Sequence, residues 1–174
     1  MSWITGFIRH LKTILVLPFT VLVIIPGLII YFSPVWNLSY VLGSSSQMLY
    51  GIGLLAFFIS SAFFVSTLVL FIRISEGTLA PWDPSQKLVV RGYYRHLRNP
   101  MILGIVALLF SEALIFDSLL IIFWCLLFFL INHLYFIRKE EPDLLKRFGE
   151  EYRIYQQNVP RWWPRREGWR PEDE

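Results

Sequence analysis

All sixteen lysines and arginines of this chain fall in three clusters separated by long apolar runs. Arg9 and Lys12 stand at the head of a first run, at about residues 11–32. Arg73, Lys87, Arg91, Arg95 and Arg98 lie between runs at about 47–72 and 101–116. The other nine follow a fourth run, at about 118–137. The two remaining connections, SPVWNLSYVLGSSS and SEALIFDS, contain neither residue type. A bilayer core of about 30 Å needs about 20 apolar residues in helical form. With four crossings every cation lands on one side, and the positive-inside rule places both termini in the cytoplasm. Three or five crossings would scatter the cations.

Composition agrees: 55% of the 174 residues are hydrophobic, against about 45–50% in ordinary soluble domains. The expected fold is all-α, an integral membrane helical bundle of about four transmembrane helices. The last two form a short helical hairpin, with Asp117 as N-cap of the fourth. Pro18 and Pro26 are expected to kink the first span, which membrane helices tolerate. The first run is too long for the apolar region of a cleaved signal peptide.

A single cysteine, Cys125, leaves no intrachain disulfide and no cysteine-based zinc site, and within an apolar run it reads as packing. His10, His96 and His133 lie in separate segments, so no metal cluster is expected. No nucleophilic triad is visible. Topology accounts for the basic residues, so nucleic-acid binding is not expected.

Two polar segments carry the chemistry. In RISEGTLAPWDPSQKLVVRGYYRHLRNP, the APWDP stretch is turn chemistry from Pro81, Asp83 and Pro84. Asn99 and Pro100 then read as N-cap and first residue of the third helix. That N-terminus, with Arg95 and Arg98 before it, suits an anion. Arginines anchoring a helix at lipid headgroups would give the same pattern.

The second segment is HLYFIRKEEPDLLKRFGEEYRIYQQNVPRWWP. Pro142 biases Glu141 away from helical ψ, so the fourth helix is expected to end at Glu140 and Glu141. An amphipathic cytoplasmic helix then starts at Pro142. Leu144, Leu145, Phe148, Tyr152 and Tyr155 recur every three or four residues, giving an interfacial helix with an interruption at Gly149. RWWPRR suits a headgroup belt. Carboxylates at a helix C-terminus oppose its dipole. Glu140 and Glu141 therefore call for a partner, either Arg138 or Lys139 or a ligand. Asn132 and His133 are polar groups near the end of a span, which makes them functional candidates; His133 stands two turns before Glu140 and either bonds a neighbouring helix or serves the site. Gly51 and Gly53 permit close approach of a helix or of a ligand.

Together these pieces resemble the membrane methyltransferases of the isoprenylcysteine carboxyl methyltransferase type, above all the small bacterial members. The related phospholipid N-methyltransferases share the Gly-x-Gly and the Glu-Glu pair. The likeness covers about residues 50–164. It leaves 1–49 as a peripheral first span and loop, and 165–174 as a polar tail, within one domain. It implies S-adenosylmethionine as cofactor at the cytoplasmic face of a bacterial inner membrane. The implied acceptor is lipophilic or lipid-attached, an isoprenylcysteine carboxylate or a phospholipid amine. A non-catalytic scaffold or lipid-binding protein is the alternative of another class. Carried over by position, Gly51, Gly53, Tyr94, Arg95, Arg98, Asn99, Pro100, Leu103, Gly104, Glu140 and Glu141 would hold the cofactor. Tyr50, Tyr93, Tyr94 and His96 are candidates to flank adenine. Arg98, His133, Glu140 and Glu141 are the candidates for a catalytic role. The chain departs from the family with Asn99 where many relatives carry His, Gly-Tyr-Tyr at 92–94 for Gly-Pro-Tyr, and Met-Ile at 101–102 for Met-Tyr.

Overall fold

The structure, a computed structural model, describes residues 18–32, 37–75 and 87–171. Arg9, Lys12 and the APWDP turn lie outside the described residues. Six helical stretches follow one another: α1 (Thr20–Phe32), α2 (Leu38–Leu42), α3 (Ser46–Ser75), α4 (Pro100–Ile115), α5 (Leu119–Tyr135) and α6 (Glu141–Asn158). Among the described residues the only β-pairing is one bridge, Asn37 to Ser118.

Among the described residues, two helical stretches are long and apolar enough to cross a membrane: α3, and the continuous run Leu119–Asn158. The apolar part of that run is α5. The 16 residues of α4 reach about 24 Å, short of the about 30 Å of hydrocarbon. A count of four crossings therefore depends on the shorter apolar α1 and α4.

α3 and α4 pack antiparallel along much of their length. Small residues make this possible. A Cβ on Gly53 would lie 2.8 Å from the Ile115 amide, and one on Gly104 would lie 3.1 Å from Phe64 Cβ. The centre of the bundle is Ile105, Leu109, Cys125 and Phe128, with Val21, Leu22 and Phe64 against them. On the outside, Leu55, Phe58 and Ile59 of α3 and Leu126 of α5 are all more than half exposed, as lipid-facing residues are.

Two prolines are absorbed by π-turns. Residues 20–24 of α1 are π-helical just before Pro26, and Phe136–Glu140 are π-helical just before Pro142. A proline inside an α-helix lacks a donor and its ring strikes the carbonyl four residues back. Widening the turn moves that carbonyl away. The Val21 carbonyl, five residues before Pro26, has no amide to receive there and accepts the Trp124 indole N–H at 3.1 Å. The helix of the fourth apolar run, α5, consequently does not end at the glutamate pair: Glu140 and Glu141 are both helical, and the chain runs from α5 into α6. Glu141 opens α6, so the expected clash with a C-terminal dipole does not arise. The break falls at Gly149 (φ 55°, ψ −125°), as read from the sequence.

The α4–α5 connection is tighter than SEALIFDS suggested, since Ser111 and Glu112 are buried within α4. The N-cap of α5 is Ser118, whose hydroxyl accepts from Ile121 N–H. Asp117 instead takes a left-handed conformation (φ 49°). Its carboxylate accepts from Ser39 N–H at 2.6 Å, Ser39 Oγ at 2.7 Å and Ser46 Oγ at 2.7 Å. These three bonds tie α2 and the start of α3 to the hairpin.

Part of the apolar stripe of α6 packs within the chain. Tyr152, Tyr155 and Val159 are buried against Leu88, Val90 and Trp169. Every described lysine and arginine stands at one end of the bundle, where α3 ends, α4 begins and α5 passes into α6.

Candidate active site at the basic end

Pro100 is the first residue of α4, and Asn99 occupies the N-cap position. Its side chain makes no capping bond. Asn99, Met101 and Ile102 instead line a cavity of about 650 Å³, within the about 300–1,000 Å³ of small-molecule sites. Its polar lining includes Tyr94, Arg98, Asn99, Asn132, Tyr135 and Glu140, with Phe71, Leu88, Val89, Phe136 and Leu144 among them. Phe64, Ile102, Ile105 and Phe128 also line it, and these belong to the bundle centre or pack against it.

The glutamate pair divides in two directions. Glu141 is 7% exposed and its carboxylate is fully engaged. It accepts from Arg98 at 2.7 Å, from Arg161 at 2.6 and 2.7 Å, and from Gln156 at 3.0 Å. This clamp fixes Arg98 between α4 and α6. The Arg98 amide also donates to Pro160 O at 2.9 Å. Glu140 lines the cavity instead. Burial pushes its carboxyl above the ordinary range, partly opposed by the Arg147 charge and by a hydrogen bond from Tyr135.

Two buried polar atoms on the cavity-lining residues have no partner in the protein, Arg98 Nε and the Tyr94 hydroxyl. Burial drives the Tyr94 phenol well upward, so it stays a protonated donor. Orphaned buried donors are rare in native proteins and call for an explanation. A bound ligand that accepts from them supplies one.

Other sequence candidates stand elsewhere. His133 accepts from the Trp162 indole at 2.9 Å and stacks on Phe129, which is the neighbour-bonding role. His96 bonds Arg165 O through Nδ1 at 2.9 Å, and Arg95 receives the Trp169 amide on its carbonyl at 2.9 Å. Both hold the C-terminal tail, and they border a separate groove with Tyr93 and Arg170. Gly104 serves packing against α3, and Leu103 is half-buried on α4 outside the cavity lining. Gly51, Gly53 and Tyr50 are not brought to the cavity at all. They sit at the opposite end, where Gly53 meets Leu114 and Ile115.

Tyr135, Gln156 and Arg161 were not singled out by sequence, whereas Asn132 stood out as a polar group near the end of a span and lines the cavity. Arg161 was hidden in RWWPRR, which reads equally well as a headgroup anchor. The 3.6-residue period placed Tyr152 on a buried face but could not say against what.

No curated protein matches the chain. A family model described as phospholipid methyltransferase matches residues 46–151, which takes in α3, α4, α5 and the glutamate pair. The family is one of membrane methyltransferases, in keeping with the two long apolar helices, and the chain belongs to it.

Proposed function

We propose that this protein is an S-adenosylmethionine-dependent methyltransferase. It works at the cytoplasmic membrane face on a lipophilic or lipid-attached acceptor. The observation that carries the reading is one cavity lined both by polar groups around the start of α4, two of them with unpartnered buried donors, and by apolar residues of the bundle centre. A zwitterionic nucleoside fits the first, and a hydrocarbon-bearing acceptor fits the second.

The residues suit the cofactor. The uncapped start of α4 with the Arg98 Nε donor answers a carboxylate. An ionised Glu140 answers an ammonium or ribose hydroxyls. Tyr94 offers a protonated hydroxyl. When bound, the sulfonium supplies a methyl group in an in-line displacement. The chain's own work is to hold both partners in near-attack geometry and to exclude water. Glu141 acts through Arg98 and does not itself reach the ligand.

The family description favours a phospholipid amine as a second reading of the acceptor, beside an isoprenylcysteine-type carboxylate. An ammonium must lose a proton before it attacks, and Glu140 is the cavity carboxylate placed to take it. A carboxylate acceptor needs no base.

The test is isothermal calorimetry with S-adenosylmethionine on detergent-purified protein, paired with a screen of lipid extracts using radiolabelled methyl donor. Saturable binding that Glu140→Gln abolishes is expected. Absence of binding at high micromolar cofactor would reduce the protein to a scaffold.

A further inference from the structure

The groove that borders Arg95 and His96 at the basic end has a volume of about 590 Å³ and shares no lining residue with the cavity. Three elements enclose it. Ser66 and Leu70 of α3 form one wall. The short 3₁₀ turn Gly92–Arg95, followed by His96, forms the second. That turn is pressed onto α3: a Cβ on Gly92 would lie 2.8 Å from Leu70 Cδ2, and Tyr93 stands edge-on to Phe63 with ring centroids 5.0 Å apart. The C-terminal tail closes the third side with Gly168 and Arg170.

The tail is fastened to the turn. His96 O accepts from the Arg165 N–H at 3.0 Å, and Arg95 O accepts from the Trp169 N–H at 2.9 Å. Arg165 O lies 2.9 Å from His96 Nδ1. A carbonyl only accepts, so Nδ1 carries the proton. Gly168 passes so close that a Cβ there would lie 3.1 Å from both Arg95 Cβ and His96 Nε2. These contacts put Arg170 in the same recess as Arg95. Among the described residues no carboxylate lines that recess, and Glu167, beside Gly168, is exposed outside it. Two guanidinium groups gathered without an acid repel each other. An anion that accepts from both offsets the repulsion, and a phosphate suits arginine best because it can be gripped by two parallel N–H bonds.

Depth says what carries the phosphate. α3 is about 45 Å long and the hydrocarbon core about 30 Å thick, so a centred α3 leaves the core about 8 Å before its C-terminal end. Leu70 stands five residues before that end, at the boundary, and Ser66 one turn deeper. Val65 and Val69, one position before each, are exposed, so the groove lies beside lipid-facing surface. Its apolar wall is at acyl level and its arginines are at headgroup level. We propose that this groove binds one anionic phospholipid, with the phosphate held by Arg95 and Arg170 and the acyl chains laid along Leu70 and Tyr93. The bound lipid pins the tail to the turn, and through Trp169 on Tyr155 it steadies α6. A choline headgroup would bring a third cation into the recess and is disfavoured. The proposal does not rest on the reading of the separate cavity as the cofactor site.

The experiment is native mass spectrometry of the full chain in detergent, titrated with phosphatidylglycerol or with phosphatidylcholine of the same acyl chains. One phosphatidylglycerol is retained per chain in preference to phosphatidylcholine. Arg170→Gln weakens that binding about 10-fold, the scale of one hydrogen bond to a charged group. Arg166→Gln removes the same charge from an exposed position of the same tail, outside the groove, and keeps the parental affinity. Circular dichroism checks that each variant is folded, and Arg95→Gln, read the same way, decides if Arg170→Gln is not.

Equal retention of the two lipids overturns the proposal, as does unchanged affinity in a folded Arg170→Gln. Equal losses in Arg166→Gln and Arg170→Gln also overturn it, because they mean diffuse attraction to a basic face and no site. Inorganic phosphate is the last arm. Displacement of phosphatidylglycerol by millimolar phosphate would assign the groove to a soluble phosphate and overturn the lipid. Hydrogen exchange gives the structural readout: with phosphatidylglycerol bound, the amides of the tail around Trp169 exchange more slowly, and in Arg170→Gln the lipid no longer slows them.

Discussion

Glu140 and Glu141 are neighbours with opposite duties, and mutation should separate them. Glu141→Ala leaves Arg98 and Arg161 facing each other without their shared carboxylate. Breaking a buried pair by deleting one partner costs about 3–5 kcal/mol. Arg161 is about a quarter exposed, so the lower part of that range is expected in thermal unfolding. Glu140→Gln should leave the folded state at least as stable, because burial already penalises the charge of its carboxylate. The sign follows from proton linkage. Between the ordinary glutamate value and the raised native one, the folded chain binds more protons than the unfolded chain. Stability therefore falls as pH rises through that window, and Glu140→Gln should flatten the fall. Cofactor affinity should run the other way, rising as Glu140 ionises. Calorimetry across the same pH range checks this, and parallel slopes for stability and affinity would contradict the role given to Glu140. Sequence reading found this pair but could not apportion it. Which of two adjacent side chains meets Arg161, twenty residues on, is decided by how α6 folds back, not by local spacing.

At the level of elements, glycines give the sharpest contrast. Gly53→Ala puts a methyl 2.8 Å from the Ile115 amide and from Leu114 Cβ. Backbone cannot step aside cheaply, so α3 and α4 must separate, at about 1–3 kcal/mol. Gly51→Ala meets nothing within 4 Å and should be neutral. Thermal unfolding of the two variants in one detergent checks the difference, and cofactor affinity should not distinguish Gly51→Ala from the parent. Of the two glycines of that motif, Gly53 lies at the helix contact and Gly51 has open space around it. The start of α4 at Pro100 and the break at Gly149 were legible because a proline at the first helical position and a glycine at positive φ act locally. The two π-turns were not. A proline in a helical pattern predicts a break or a kink, and only the neighbouring helices determine whether a widened turn is retained. Ser118 displacing Asp117 as N-cap has the same origin. Asp117 finds three donors on α2 and α3, and partners that distant are invisible to capping rules.

For the whole molecule, the separation of charge and the separation of ends are one statement. α3 is 30 residues long, about 45 Å, and every described cation lies in its last turn, as Arg73 does, or beyond its C-terminal end. The tail belongs to that end too, through Trp169 packed on Tyr155 and bonded to Arg95 O. Trp169→Ala should cost about 2 kcal/mol, somewhat below a fully buried tryptophan, with loosening of α6 visible as faster amide exchange. The orientation in the bilayer can be read with thiols. Cys125 is 5% exposed and its replacement by serine gives a silent background. Tyr40 at the opposite end is 85% exposed, and Trp163 at the basic end is 84% exposed. In intact cells an impermeant maleimide should label Tyr40→Cys, and Trp163→Cys should react only after permeabilisation. The reason is electrostatic: the translocated side of a membrane protein excludes Lys and Arg near its spans, and only one orientation keeps all the described cations inside. Labelling of Trp163→Cys from outside would move the cavity to the wrong face for a cytoplasmic methyl donor. Equal labelling of both from one side would mean that the two ends of α3 do not lie across a bilayer.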